Sequence, residues 1–282
     1  MFPTPIEKTS RQWQISYQVL LPIMLIVWLL PLIAVANFSI KPEADFVNGN
    51  YWGIPSSFDA LNNYGKVFFE SNMPRYLWNS LLISVPTVIG AVALSCMAGF
   101  ALGVYKFRGN LLIFFIFIAG NFVPFQILMV PVRDLTVSMN LYDTKTGLVL
   151  FHIAFQTGFC TLFMRNFIRA LPFPLIEAAR VEGIAEWKIF LYVVLPLMKP
   201  ALAALAVLIF TFIWNDYFWA GVLTQGPEAQ PVTAGITEFN SQFRAAYHLM
   251  SAGSIVAALP PVAMFFLMQK HFIAGLTLGA VK

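Results

Sequence analysis

Six stretches of predominantly apolar residues dominate this chain, and each has about the 20 residues that a helix needs to cross the hydrocarbon core of a bilayer. They run from about Tyr17 to Phe38, Ser80 to Tyr105, Leu111 to Val132, Leu148 to Ile168, Ala201 to Leu223 and Ser251 to Phe272. With 59% hydrophobic and only 11% charged residues, a soluble domain would have too little polar surface to cover this content. The expected fold is therefore an all-α integral membrane protein, a single transmembrane domain over residues 1–282 with six spans. Asn121, Pro124, Gln126 and Pro131 interrupt the third stretch. Such breaks are tolerated where neighbouring protein or water satisfies the freed backbone.

Orientation follows from the basic residues, which favour the cytoplasmic side. With the N-terminus inside, eleven of the 17 Lys and Arg fall on inner segments, including Lys8, Lys106, Arg108, Arg165, Arg169 and Lys282. Six fall outside, together with most of the acids, and an even number of spans brings both termini into the cytoplasm. A competing reading takes Lys8, Arg11, the first apolar run and Ala34-Val35-Ala36 as a cleaved signal peptide. That run is long for the purpose and is interrupted by Pro22 and Pro31. The net charge of +4 is small and scattered, so nucleic acid is not an expected partner. Cys96 and Cys160 lie within apolar runs and read as small core residues. The outer loop Ser39–Asn79 is short but holds Tyr51, Trp52, Gly53 and Pro55, which suit a small ordered cap.

Between the fourth and fifth spans lies a cytoplasmic loop, 170–199, with its own pattern. Pro174 suits the first turn of a helix, and Glu177 sits near that helix's positive end. Ala178 and Ala179 carry almost no side-chain bulk, so another protein can approach the backbone. Gly183 permits a sharp turn, and Pro196 and Pro200 are expected to stop a second helix before the fifth span. These features predict a stiff, charged helical hairpin. An amphipathic helix lying on the membrane surface fits the composition equally well.

The order Glu177-Ala178-Ala179, three residues, Gly183, nine residues, Val193-Val194-Leu195-Pro196 resembles the EAA loop of ATP-binding-cassette (ABC) importer permeases. The chain departs from that pattern by Val193 for Ile, Glu182 for the more usual Asp, and Ile184 where Ala is common. Phe163-Met164-Arg165-Asn166-Phe167, Trp214-Asn215-Asp216, Tyr142-Asp143-Thr144 and the tail from Gln269 to Lys282 are similar to the maltose-type carbohydrate permeases. Asp143 stands where that family often has Asn.

The resemblance implies a type I importer permease fold in the bacterial inner membrane, multi-pass and in contact with lipid. It implies that Glu177, Ala178, Ala179, Glu182 and Gly183 form the coupling contact with an ATPase. The implied partners are a second permease, giving a heterodimer, two ATP-binding subunits, and a periplasmic or lipid-anchored solute-binding protein. ATP and Mg would sit on the ATPase subunits, and this chain would hold no cofactor. The residues agree: Gly65-Lys66 is the only Gly-Lys pair, and Ala60 occupies the glycine position that a phosphate-binding loop requires. His152, His248 and His271 are dispersed, so neither a metal site nor a catalytic group is expected.

Polar residues within spans are candidates for the solute path, because hydrocarbon penalises them. His152 and Gln156 are spaced to share one face of the fourth span, with Phe159 a turn further. Asn121, Gln126, Asn215 and Asp216 complete the set. Each can instead tie helices together by hydrogen bonds, and for Asp216 that role is favoured because the Trp-Asn-Asp run resembles a feature shared by family members with many substrates. Gly99 and Gly103 read as a helix-packing step. No span centre carries Lys or Arg, which favours a neutral sugar over glycerol 3-phosphate. An ion-coupled transporter would need acids within its spans, where Asp216 stands alone, and would leave the EAA loop without a purpose.

Overall fold

The computed structural model describes residues 10–241 and 244–280, with side chains placed for all of these except 241–245 and 270–280. Lys8 and Lys282 of the orientation argument, and the Val281-Lys282 end of the tail, lie outside the described residues. By internal contacts the chain divides into two compact units. One comprises Met1–Ser71 and Phe239–Val256, the other Asn72–Glu238 and Ala257–Lys282.

In the first unit, α1 (Arg11–Ile40) is a continuous helix despite Pro22 and Pro31, and none of its most apolar stretch is buried within the chain. The segment after it is ordered, with α2 (Glu43–Val47) and α3 (Ala60–Phe69). Its centre is Lys41, fully buried, whose Nζ donates to the carbonyls of Asn50 (2.7 Å) and Tyr51 (2.9 Å). The rings of Phe38 and Phe46 lie 5.9 and 6.0 Å from that ammonium. A buried charge persists only with such compensation. Asn63 Nδ2 donates to the carbonyls of Ser39 and Lys41, pinning α3 to the end of α1.

The second unit is built around α4 (Met73–Val104), with α5 (Asn110–Ala119) and α6 (Met129–Ser138) following it. The expected run Leu111–Val132 is not a single rod. Short 3-10 turns at Gly120–Phe122 and Phe125–Leu128 flank a break, and the axis swings by 88°. Pro124 is the physical cause: it lacks a donor, and it disfavours helical geometry at Val123. Pro131, by contrast, is accommodated within α6.

The longest packed partner of α4 is α7 (Lys145–Ala170). Thr144 caps it by accepting from the Gly147 amide (3.0 Å). Asp143 adopts φ +55°, and its carboxylate accepts from the amides of Gln225 and Gly226. Asp tolerates that left-handed conformation and supplies the acceptor together. Gly99 and Gly103 face α7. A Cβ on Gly99 would lie 2.9 Å from the Met164 Cβ, and one on Gly103 would lie 3.3 Å from Ile168 Cγ2. Small residues there let the two backbones approach closely. Cys96 and Cys160 are buried in this core as free thiols.

Next come α8 (Phe173–Val181), α9 (Glu186–Lys188), a π turn over Ile189–Val194, α10 (Leu195–Leu197) and α11 (Lys199–Trp214). The axis turns by 75° at Met198. Pro196 lies inside this second arm rather than ending it, and Pro200 opens α11, where its missing N–H costs nothing. The expected span Ala201–Leu223 is likewise interrupted: α11 ends at Trp214, residues 215–217 are unwound, and α12 (Phe218–Leu223) resumes. A short α13 (Val232–Gly235), a two-residue β bridge between β1 (Asn240–Ser241) and β2 (Arg244–Ala245), and α14 (Tyr247–Ala280) complete the chain. Four described helices are long and apolar enough to cross a membrane, and six spans result if each bent pair counts as one.

Candidate functional site

Two sites stand out, both within the second unit, and the first is the hairpin between α7 and α11. Pro172 and Pro174 open α8, and the helix ends in a Schellman turn. The Ile184 amide donates to the Ala179 carbonyl (3.1 Å), and the Gly183 amide donates to the Arg180 carbonyl (3.0 Å). Gly183 holds φ +75°, and a Cβ there would meet nothing within 4 Å. Its requirement for glycine therefore comes from the left-handed backbone, not from crowding within the chain.

Glu177, Ala178, Glu182 and Gly183 are exposed, as is Val181 at 89%. Ala179 differs. It is buried beside Ile176 in the core, so it seats the hairpin inward while Ala178 presents the smooth outer surface. The hairpin is closed by an ion pair that spans its turn. Arg180 reaches Glu186 through Nε (2.6 Å) and Nη2 (3.1 Å), and Tyr105 at the end of α4 donates to the same carboxylate (2.8 Å). The Arg180 hydrogen bonds hold the Glu186 carboxyl below its ordinary value.

The second site is a cavity of about 700 Å³ among the broken third span, α7 and the unwound segment 215–217. Asn121, His152, Gln156, Phe159, Asn215 and Asp216 all line it, so the structure brings together six of the seven path candidates. Gln126 is the exception: it sits exposed on the 3-10 turn, while Phe125 beside it takes the lining position. Aromatic rings supply much of the remaining wall, among them Phe155, Tyr217 and Trp219.

Asp216 has a local task. Its carboxylate accepts from the amides of Ala220 (3.0 Å) and Trp219 (3.4 Å), capping the first turn of α12. It also lies 3.6 Å from His152 Nε2. Asn121 and Asn215 each donate to a carbonyl one turn back, at Phe117 and Thr211. The buried Nδ1 of His152 and Nε1 of Trp219 have no hydrogen-bond partner among the described residues. The wall thus joins flat apolar faces to a few hydrogen-bonding groups, and none of its described lining residues is Lys or Arg.

Comparison with known proteins shows the family and the fold. Residues 91–277 match the family described as the binding-protein-dependent transport system inner membrane component. The chain belongs to this family. It is 33% identical over 258 residues to the arabinooligosaccharides transport system permease protein AraQ of Halalkalibacterium halodurans, covering 89% of this chain and 90% of that one. It is 32% identical over 262 residues to the osmoprotective compounds uptake permease protein GgtD of a Synechocystis species, covering 91% and 88%. Its fold is similar to that in the crystal structure of a bacterial ABC transporter involved in import of the acidic polysaccharide alginate. There the TM-score is 0.78 at 24% identity, covering 95% of this chain and all of the other.

For this permease, sequence reasoning missed the Tyr105–Glu186–Arg180 clamp and the aromatic wall. Opposite charges six residues apart across a glycine turn were a usable sign of the Arg180–Glu186 pair. Nothing local marks Tyr105, which is 81 residues from its partner.

Proposed function

We propose that this chain is the transmembrane subunit of an ABC importer for a sugar or sugar-like neutral solute, set in a bacterial inner membrane with both termini cytoplasmic. It is not an enzyme: ATP and Mg are held by two ATPase subunits, and this chain carries no cofactor. A second, different permease completes the pathway, and an external solute-binding protein delivers the solute. The exposed edge of the hairpin docks on the ATPase through Glu177, Ala178, Glu182 and Gly183, with Ala179 anchoring it from within.

The observation that carries this reading is the surface left open at the hairpin's turn. A rigid glycine turn, with an alanine and an almost fully exposed valine beside it, suits close approach by a protein partner. The cavity then supplies this subunit's half of the path. Sugars present apolar C–H faces to aromatic rings and hydroxyls to His152 and Gln156, and a wall without cations suits an uncharged solute. The family match and the arabinooligosaccharide relative support the same substrate class.

The test is ATP-dependent solute uptake in vesicles that hold the full set of subunits, comparing Gly183→Asp with the parent. Loss of uptake, with assembly and external solute binding unchanged, is the expected result. Full uptake by the variant would remove the hairpin from the coupling path. Uptake by this subunit without any ATPase would overturn the importer reading.

A further inference from the structure

A second large cavity, of about 730 Å³, lies at the hairpin end of the α4–α7 pair and shares no lining residue with the first. Its wall is the α4–α5 connection, the last turns of α7 and Phe173 at the start of the hairpin. Among the described residues four cations line it, Lys106, Arg108, Arg165 and Arg169, and no acid does. Lys106, Arg108 and Arg169 are exposed and form no ion pair among the described residues.

Arg165 is the telling member. It is only 5% exposed, its guanidinium lies 3.8 Å from the centre of the Phe114 ring, and its Nε donates to the Leu102 carbonyl (3.1 Å). Among the described residues no carboxylate pairs with it. A buried guanidinium without a counter-charge is costly, and three further cations around the same space raise that cost. The wall is also fixed in shape. Asn110 Nδ2 donates to the carbonyls of Leu102 (3.1 Å) and Tyr105 (3.0 Å), which locks the α4–α5 connection.

We propose that this cavity binds the phosphate of an anionic phospholipid headgroup. The chemistry recognised is a phosphate, for which a guanidinium fork and neighbouring cations are well suited. The source is assigned to lipid because of the rim. Phe107 and Leu111 line the cavity with 43% and 59% of their surfaces exposed, offering apolar area that acyl chains would cover and a soluble phosphate would not. The cavity also lies at the ends of α4 and α7, where two apolar helices give way to polar connections, and a basic pocket between span ends suits a lipid headgroup. A bound headgroup would bridge the α4–α5 connection to the end of α7 and so brace the base of the hairpin.

The experiment is native mass spectrometry of the assembled transporter, taken from nanodiscs of phosphatidylcholine with phosphatidylglycerol. It compares the parent with the triple variant Lys106→Gln, Arg108→Gln, Arg169→Gln, leaving Arg165 in place because it is packed. The parent is expected to retain phosphatidylglycerol. A juxtamembrane cation contributes roughly a fivefold gain in lipid affinity, so the triple variant should lose on the order of a hundredfold. The charge-preserving variant Arg108→Lys, Arg169→Lys should retain the lipid. Equal retention by parent and triple variant overturns the proposal, as does a parent that carries no phosphatidylglycerol. Equal loss in the charge-preserving variant would trace the effect to shape rather than charge and also overturn it. Displacement of the lipid by inorganic phosphate would assign the site to a soluble anion instead.

Discussion

The hairpin and the candidate solute cavity are both held by α7, yet they are made in opposite ways. The hairpin is contiguous: every residue of its outer edge lies between Phe173 and Ile184, and its turn is closed by hydrogen bonds between neighbours in sequence. The cavity is assembled from residues as distant as Asn121 and Trp219, and it exists only because helices are broken at Pro124 and after Trp214. Continuous spans pack and seal. Interrupted ones leave backbone and polar side chains around a space, which a membrane tolerates only where protein or water answers them.

Changes that prise helices apart should therefore ruin the cavity while sparing the hairpin. The largest effect is expected from Gly158→Leu. A Cβ at Gly158 would already lie 2.5 Å from the Phe117 carbonyl oxygen, beside Asn121. Overpacking of this kind costs about 1–3 kcal/mol, and uptake should collapse while the ATPase subunits still copurify. If the ATPases are lost as well, the two regions are not separable. A smaller effect is expected from Gln156→Ala. Losing one hydrogen bond to solute, about 1 kcal/mol, should raise the half-saturating solute concentration several-fold and leave the maximal rate intact.

The smallest effect tests the hairpin's own closure. Glu186→Gln removes a partly exposed ion pair whose contribution is about 0.2–1 kcal/mol. It should lower the maximal rate modestly without changing the half-saturating concentration. The pH dependence has a definite sign. The folded carboxyl is held below its ordinary value, so the clamp's contribution is complete above the ordinary carboxylate range. It fades as pH falls through the depressed value. Coupling in the parent should thus tolerate mild acid, and Glu186→Gln should flatten whatever acid-side decline remains. A steeper decline in the variant would contradict this assignment.

The same contrast explains what could be read from the sequence. Helices reveal themselves by length and apolarity, and the hairpin by spacing within one short segment, so both were legible. The packing role of Gly99 and Gly103 was legible too, since a small-residue step on an apolar helix has a limited set of uses. The inward turn of Ala179 was not, because adjacent alanines look alike until a helix is placed against a core. Gln126 was misplaced in the same way. A polar residue in a broken span draws attention, but the 3-10 turn hands the lining position to Phe125. The cation cluster around Arg165 looked like a consequence of orientation alone, because its members come from two separate segments.

The long α7 helix has a mechanical consequence. It carries His152, Gln156 and Phe159 on its shaft and runs unbroken to Ala170, one residue before the loop that begins the hairpin. From Phe159 to Ala170 is about 16 Å of helix at 1.5 Å per residue. Zipped to α4 along its glycine seam, this shaft behaves as a lever arm. A tilt imposed at one end reaches the other as displacement, with no relay of side chains in between. On the function proposed above, the gearing between nucleotide closure and solute release would then be set by where the fulcrum falls along that one rod.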